Sequence, residues 1–346
     1  MAGATPLRIA VVGASSLIGD AIIEALRSRK IRYSELYALD DEGNIGRRVT
    51  GSGGEEKSEP IELLPVTGFD FSGIDLAFFC GRAVLAERHA EAAAAHAWVI
   101  DSSAAFRARS DVPLIVADVN GALLEGLGAR GLVALPASAS VALITALAPL
   151  NSVAGLLRAD VATYQSVSGS GRGAMDELAA ETVAMLSGKK ARGRAYGRQI
   201  AFNVIPRVDT LQPDGVTREE RRLWEETRRV LELPLLAINA TAVRVPVFFG
   251  HSLAVHAVFE RPLRPEAALE ALGAANGIAV IGVESDAEFP TPATVATAPD
   301  RVYVGRVRAD PTRDGALNFW IVADNVRKCA AHNAVSVAQI LVNSVQ

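Results

Sequence analysis

The feature that most constrains the fold is a short apolar segment followed at once by a glycine-bounded turn and a helical pattern. Residues 7–12 read LRIAVV, residues 13–19 read GASSLIG, and helical periodicity continues over residues 20–29. A β-branched run that ends in glycine and leads into a helix is typical of the first β-turn-α unit of an open parallel sheet. The amino-terminal part of the chain is therefore predicted to begin with this unit.

The rest of the first third repeats this alternation. Short apolar strands are predicted at residues 35–39, 76–80, 98–100 and 114–116, and an alanine-rich helix is predicted over residues 84–97. Strands that alternate with helices predict an α/β fold with a Rossmann-like, doubly wound parallel sheet and right-handed crossovers.

Beyond residue 135 the predicted strands become longer. Helices are expected at residues 140–150, 218–231 and 325–345, and strands at 157–167, 242–249, 252–259 and 317–323. We predict that residues 1–134, with a returning helix at 325–346, form one domain and that residues 135–324 form a second, α+β domain.

Composition narrows the class of function. The chain has 346 residues, of which 50% are hydrophobic, and this is enough for two substantial cores. Its net charge is -4, and the sequence contains no block of like charges. Nucleic acid and membrane surfaces are therefore not expected as partners. The expected partner is a small-molecule substrate. Cys80 and Cys329 form neither a disulfide framework nor a metal pair, which predicts a reducing, cytoplasmic location.

The glycine turn is a candidate cofactor site. Unpaired N–H groups at a helix N-terminus and the helix dipole can hold a dinucleotide pyrophosphate. Gly13 and Gly19 match the usual fingerprint, while Ser16 stands at its middle glycine position. The residues expected to contact NAD or NADP are Gly13, Ser15, Ser16, Leu17 and Ile18. The alternative interpretation is a structural turn that binds nothing.

Three acidic residues follow the second predicted strand. Asp40, Asp41 and Glu42 lie about 20 residues after the glycine turn, where a carboxylate can bind the ribose 2'-hydroxyl and repel a 2'-phosphate. This position favours NAD over NADP, with Asp40 as the expected ligand. A solvated acidic loop is the alternative.

Two residues in the second half point to anion binding and proton transfer. Arg244 and His251 are seven residues apart, a spacing that places them on opposite faces of a regular strand, but Pro246 and Gly250 interrupt the segment. A structural ion pair for Arg244 and an ordinary buried histidine remain open. Arg107 follows the strand predicted at residues 98–100 and is a candidate phosphate clamp. The histidine spacings predict no metal site.

Six segments in combination resemble the aspartate-semialdehyde dehydrogenase family, over about residues 8–341. They are VIDSSAAFR at 99–107, TYQSVSGSG at 163–171, FNVIP at 202–206, VRVPVFFGHS at 243–252, YVGR at 303–306 and VADNVRK at 322–328. The resemblance implies reduction of an acyl phosphate to an aldehyde through a cysteine thioester, with hydride from NAD or NADP. It also implies a homodimer built on the second domain, which would carry both catalysis and dimerisation.

The resemblance assigns roles by motif position. It implies that Arg107 binds the phosphate, Gln165 positions the substrate near the acyl centre, Arg244 binds the substrate carboxylate and His251 acts as acid and base. Further expected contacts are Glu226 with the substrate amino group, Arg229 in place of a phosphate-assisting lysine, and Ser168, Gly169 and Asn325 with the cofactor.

The nucleophile position departs from the family. Residues 136–140 read PASAS where the family has proline, asparagine, cysteine, serine and threonine, so Ser138 stands in place of the catalytic cysteine. An unassisted hydroxyl is almost wholly protonated, and its ester is a poorer hydride acceptor than a thioester. Three functions therefore remain open: a semialdehyde dehydrogenase-like oxidoreductase, a catalytically silent dimeric homologue of the Usg type, and an acyl hydrolase or transferase that uses Ser138 with His251. The related acyl-phosphate reductase of arginine synthesis leaves the substrate open.

Overall fold

The computed structural model describes residues 6–51, 59–128, 130–191, 193–282, 288–295 and 297–345. The chain forms two compact units. The first comprises Met1–Ala137 and Ala330–Gln346, and the second comprises Ser138–Cys329.

The first unit alternates strands with helices. Its elements are β1 (Leu7–Val12), α1 (Leu17–Ser28), β2 (Tyr33–Asp40), β3 (Arg48–Val49), β4 (Ile61–Pro65), β5 (Leu76–Phe79), α2 (Ala83–Ala94), β6 (Trp98–Asp101), α3 (Ala117–Asn120), β7 (Gly131–Ala134) and the carboxyl-terminal helix Asn333–Val345. The strands form one sheet in the order β3-β4-β2-β1-β5-β6-β7, parallel except between β3 and β4. This sheet confirms the predicted Rossmann-like fold, because its central strands are buried on both faces as parallel strands require.

Gly13 marks a close approach between two loops. It follows β1 with a φ of +82°, and a Cβ at this position would lie 2.4 Å from the backbone N and Cα of Gly81, which follows β5. Both the positive φ and the missing side chain are therefore needed here.

The substitution Gly13→Ala is expected to lower the free energy of unfolding by at least about 3 kcal/mol, because a backbone clash adds to the cost of a positive φ. Gly68→Ala is the matched control: Gly68 has a φ of +81° but nothing within 4 Å of an added Cβ. Its cost is expected to be about 1 kcal/mol. Urea denaturation measures both, and equal losses in the two variants would show that the clash contributes nothing.

The second unit is built on a mixed sheet. Its elements are α4 (Ser138–Ala154), β8 (Leu156–Gln165), α5 (Arg172–Leu186), α6 (Arg218–Val230), β9 (Ala237–Arg244), β10 (His251–Phe259), α7 (Pro265–Ala274), β11 (Ile278–Ile281), α8 (Pro292–Val295), β12 (Val302–Ala309) and β13 (Leu317–Ala323). The strand order is β11-β12-β13-β10-β8-β9. Strand β8 runs parallel to β9 and antiparallel to β10, so the ends of β8 and β9 lie beside the start of β10.

Three predicted elements differ from the structure. The strand expected at 114–116 is reduced to a single bridge between Leu114 and Ala134, next to Pro113, which has no N–H to extend a ladder. The strand expected at 242–249 ends at Arg244 instead, and Pro246 lies in the break. The last helix begins as a π-helical turn at Arg327–His332. No helix within the described ranges is long and apolar enough to cross a membrane.

Candidate active site

Arg244 and His251 come together at one end of the second sheet. Arg244 is the last residue of β9, His251 is the first residue of β10, and both strands pair with β8. The connection between them crosses the end of β8, where Val167 N donates to Val247 O at 2.9 Å. The two side chains meet because they belong to different strands, which the interruption between them makes possible.

The Arg244 guanidinium is buried, with 5% of the residue exposed. Its Nη1 donates to Ser166 O at 2.5 Å, and its Cζ lies 5.7 Å from the centroid of the Tyr196 ring. Among the described residues, no group accepts a hydrogen bond from its Nε. Burial lowers the pKa of Arg244, although arginine remains a cation in proteins. A buried cation with an unsatisfied donor is a site for an anionic ligand.

A cavity of about 730 Å³ lies against this guanidinium. Its polar lining includes Ser170, Tyr196, Arg198, Arg207, Asp209 and Arg244. Three arginines and one carboxylate leave the wall with excess positive charge. The cavity therefore suits a small anionic substrate.

The neighbouring polar groups come from β8 and from the first two turns of α6. Gln165 Nε2 donates to Glu219 Oε1 at 3.0 Å, and Arg222 Nη1 lies 2.8 Å from Asp209 Oδ2. Glu219 thus contacts Gln165, and Arg222 contacts Asp209 of the cavity lining, whereas the family resemblance implies substrate contacts for Glu226 and Arg229. Seven residues of helix separate each pair, about 10 Å along the axis. Glu226 is buried further along α6.

The loop that lines the cavity is held by a buried carboxylate. Glu181, on α5, accepts hydrogen bonds from Gly193 N at 2.7 Å, Ile200 N at 2.9 Å and Ala201 N at 3.1 Å. Only 3% of Glu181 is exposed. These bonds fix both ends of the segment that carries Tyr196.

The substitution Glu181→Leu is expected to lower the free energy of unfolding by about 3 kcal/mol, because two buried amides and one half-buried amide lose their acceptor. The neighbouring, exposed Asp176 provides the control, and Asp176→Ala is expected to change stability by less than about 0.5 kcal/mol. Thermal and chemical denaturation give both values. Equal stability of Glu181→Leu and the unmodified chain would rule out this anchoring role.

His251 belongs to a buried polar cluster. Its Nδ1 lies 3.1 Å from Ser166 Oγ and 3.2 Å from Ser166 N. Asn325 Oδ1 lies 3.1 Å from both Ser166 Oγ and Ser168 Oγ and accepts from Gly250 N at 3.1 Å. Burial, and secondly the nearby Arg244 charge, lower the pKa of His251 to about 3. The imidazole is therefore neutral at physiological pH.

This cluster changes the interpretation of two expected cofactor contacts. Ser168 and Asn325 are 5% and 3% exposed, and their side chains bond to each other and to Ser166. Sequence reasoning missed Ser166, although it lies within the matched segment at 163–171. Its isolated position between a glutamine and a valine carried no signal of a bond to His251, 85 residues away.

Ser138 is the first residue of α4 and is half-buried. Its Oγ donates to the backbone O of Asn325 at 2.8 Å. The hydroxyl has one proton, and a carbonyl oxygen cannot remove it. No hydrogen bond joins Ser138 to His251 in the described part of the chain, so the serine–histidine pair that hydrolysis requires is not formed.

Neither cysteine resembles an activated nucleophile. The Cys80 thiol is buried and donates to Val12 O at 3.2 Å, and burial raises the pKa of this thiol. Cys329 is 1% exposed. Buried structural cysteines are inert.

In the first unit, the glycine turn presents N–H groups at the start of α1. Ser16 Oγ accepts from Gly19 N at 3.0 Å and donates to Cys80 O at 3.1 Å, so the serine at the middle fingerprint position serves as N-cap. Across the described ranges, no group accepts a hydrogen bond from the amides of Leu17 and Ile18. These two amides fit a pyrophosphate oxygen.

Asp40 does not point to solvent as the ribose-binding prediction requires. It is 3% exposed, its Oδ2 accepts from Ser15 N at 2.9 Å, and its Oδ1 accepts from Asp41 N at 2.9 Å and Asn44 Nδ2 at 3.0 Å. This carboxylate holds the glycine turn in place, because the carboxyl end of β2 lies directly beside that of β1. Asp41 and Glu42 are the acidic residues that remain partly or fully exposed.

Arg107 lies at the carboxyl edge of the first sheet. Its Nε donates to Leu135 O at 2.8 Å and its Nη2 donates to Ser102 O at 2.7 Å. These bonds set the orientation of the guanidinium.

Family models match both halves of the chain. The model of the semialdehyde dehydrogenase NAD-binding domain matches residues 8–127, and that of the semialdehyde dehydrogenase dimerisation domain matches residues 147–328.

Named relatives match over nearly the full length. The aspartate-semialdehyde dehydrogenase of Legionella pneumophila is 39% identical over 336 residues, which are 97% of this chain and 95% of that protein. The protein of the same name from Shewanella violacea is 38% identical over 96% of this chain and 97% of its own length. A crystal structure of aspartate semialdehyde dehydrogenase II from Vibrio cholerae complexed with ASA matches with a TM-score of 0.92 and 36% identity, over 98% of this chain and 99% of that one.

Proposed function

Because this chain belongs to the aspartate-semialdehyde dehydrogenase family, we propose that it interconverts aspartate semialdehyde and its acyl phosphate with NAD or NADP. The observation that carries this proposal is Arg244, a buried cation with an unsatisfied Nε beside a cavity rich in arginine. A substrate carboxylate satisfies that donor. The structural neighbour from Vibrio cholerae is described as complexed with ASA, which supports the same substrate class.

Each proposed substrate contact uses a distinct charge. Arg244 binds the substrate carboxylate, and Glu219, hydrogen-bonded to Gln165, binds the substrate amino group. Arg222 takes the phosphate-assisting role that the family resemblance implies for Arg229, and Arg107 binds the phosphate. His251 acts as the proton donor to the oxygen on the reacting carbon.

Ser138 Oγ is proposed to form an ester with the acyl carbon as the bond from that carbon to the phosphate oxygen breaks, and the departing phosphate takes the hydroxyl proton. When bound, the reduced nucleotide would supply the hydride, and the oxidised nucleotide would accept it in the reverse direction. The hydroxyl must lose its proton as the C–O bond forms, and its hydrogen bond to the Asn325 carbonyl offers no base. The proposed reaction is therefore slow in the unmodified chain.

The fit of a dinucleotide rests on the start of α1. The Leu17 and Ile18 amides and the positive end of the helix dipole would hold the pyrophosphate, in the turn that Gly13 allows to pass close to Gly81. We propose NAD as the preferred form, with Asp41 as the residue that disfavours a 2'-phosphate, because Asp40 is committed to the turn. Calorimetric binding of NAD and NADP tests this preference, and tighter binding of NADP would reject it.

The open face of the second sheet is proposed to form a homodimer. Tyr164 and Trp320 lie with ring centroids 5.5 Å apart, and Trp320 belongs to the lining of a cavity of about 610 Å³ on this face. The match to a dimerisation domain over residues 147–328 supports the proposal. Sedimentation equilibrium should give twice the chain mass of 36.4 kDa, and a monomer at micromolar concentration would exclude it.

The function is tested by following nicotinamide absorbance with aspartate semialdehyde and phosphate. The proposal expects slow turnover that requires both phosphate and the nucleotide. Failure of turnover in both the unmodified chain and Ser138→Cys would reject the dehydrogenase and leave the catalytically silent homologue.

A further inference from the structure

The hydrogen bond from Ser166 N to His251 Nδ1 identifies which ring nitrogen carries the proton. The two atoms are 3.2 Å apart, and the imidazole is 3% exposed. A backbone amide can only donate, so Nδ1 presents its lone pair to it, and the Ser166 hydroxyl, 3.1 Å from the same nitrogen, is then the donor in that second contact. In a neutral imidazole the proton then resides on Nε2.

Ser166 is itself held rigidly. It is fully buried, and its Oγ lies 3.0 Å from Ser168 Oγ and 3.1 Å from Asn325 Oδ1. The Asn325 amide is oriented by Gly250 N, which donates to Oδ1 at 3.1 Å. This network holds in place the Ser166 backbone amide, which donates to His251 Nδ1.

The protonated nitrogen of His251 faces a gap left by a missing side chain. A Cβ added at Gly169 would lie 3.5 Å from His251 Nε2 and 3.1 Å from Arg244 Nη1. Gly169 has no positive φ that would demand glycine, so its backbone conformation is open to alanine. The absence of a side chain therefore leaves space bordered by two donors.

We propose that Ser166 is a positioning residue that keeps His251 in the Nε2–H form, and that His251 Nε2 and Arg244 Nη1 form a two-donor subsite for an oxygen acceptor in front of Gly169. The acceptor is a carbonyl or carboxylate oxygen. Its identity as a substrate oxygen rests on the proposed function. In its resting form His251 donates a proton at this subsite and does not take one from residue 138.

The tautomer is tested directly by ¹⁵N NMR of ring-labelled histidine, with His251→Asn identifying the signals. Between about pH 5 and 8 the expected spectrum shows an unprotonated Nδ1 and a protonated Nε2, with no titration. The absence of titration in this pH range agrees with a His251 pKa of about 3, because the ring is neutral above that value. A protonated Nδ1 or a titration within this range would overturn the assignment. This result is independent of turnover.

Two substitutions at one position separate the Ser166 amide from its hydroxyl. Ser166 has φ -65° and ψ 155°, which proline adopts without strain. Ser166→Pro removes the N–H and should abolish the Nε2–H preference, whereas Ser166→Ala retains the N–H and should preserve it. Circular dichroism checks folding of both. Loss of the preference in Ser166→Ala would show that the hydroxyl, and not the amide, sets the tautomer and would reject the assignment; if Ser166→Pro does not fold, the unmodified chain and Ser166→Ala still decide.

The subsite is tested by Gly169→Ala. Binding of aspartate semialdehyde, measured by calorimetry, is expected to weaken at least about tenfold, because the new methyl group occupies the space of the acceptor. Gly173→Ala is the matched control, since an added Cβ meets nothing within 4 Å. Unchanged binding in Gly169→Ala would reject the subsite. If the unmodified chain binds no aspartate semialdehyde, the proposed function fails, while the NMR result still decides the tautomer.

Discussion

The substitution Ser138→Cys is expected to raise turnover of aspartate semialdehyde by about a thousandfold or more, equivalent to at least about 4 kcal/mol of activation free energy. Ser138 is the first residue of α4, where the helix dipole stabilises an anion. A thiol at this position becomes partly ionised near neutral pH, whereas a hydroxyl does not. Stopped-flow or steady-state nicotinamide absorbance measures the change.

The control for this gain is a second cysteine on the same helix. Ser140 is fully buried two residues away, and Ser140→Cys is expected to leave turnover unchanged. The increase should also be lost after alkylation of the new thiol. A Ser138→Cys variant that binds NAD or NADP but remains as slow as the unmodified chain would show that other parts of the machinery have been lost.

The substitution Arg244→Leu is expected to lower kcat/KM by about a hundredfold or more, since a substrate carboxylate loses a buried charged donor worth about 2–4 kcal/mol. The effect should appear mainly in KM if the contact is equally strong in the ground and transition states. The Ser138→Cys background provides a measurable rate in which to determine it.

Stability separates this role from a structural one. The folded chain already buries the Arg244 charge with one donor unsatisfied, so Arg244→Leu is expected to leave the free energy of unfolding nearly unchanged or to raise it. Arg198→Leu alters an exposed member of the same cavity lining and should change kcat/KM much less. Equal kinetic effects for the two arginines would contradict the special role of Arg244.

Much of the fold was accessible from local sequence patterns. The run at Leu7–Val12, the glycine turn and α1 appear as predicted, because a buried parallel strand and an amphipathic helix each leave a periodic signature. The serine at the middle of the glycine turn also has a local explanation as an N-cap. By contrast, Pro246 and Gly250 predicted only that the strand is interrupted between Arg244 and His251. They did not predict which residues lie next to these two side chains.

At the candidate site, local sequence patterns do not predict which of two similar residues makes a contact. Asp40 and Asp41 are adjacent and chemically equal in sequence, yet only Asp40 turns inward to hold Ser15. Glu219 and Glu226 both lie on α6 and are each followed three residues later by an arginine. Which of the two glutamates reaches Gln165 depends on where α6 begins relative to β8. The spacing of residues within the helix carries no information about that position.

The order of residues alone therefore determined the strand–helix alternation, the family motifs and the loss of a thiol at position 138, since each is written within a few neighbouring residues. Tertiary structure decided which groups became partners: Ser166 with His251, Gln165 with Glu219, and Asp40 with the glycine turn. The reason is that periodicity reports which face of an element is buried, whereas hydrogen-bond partners are selected by sheet order and register, which join residues 25 to 85 positions apart.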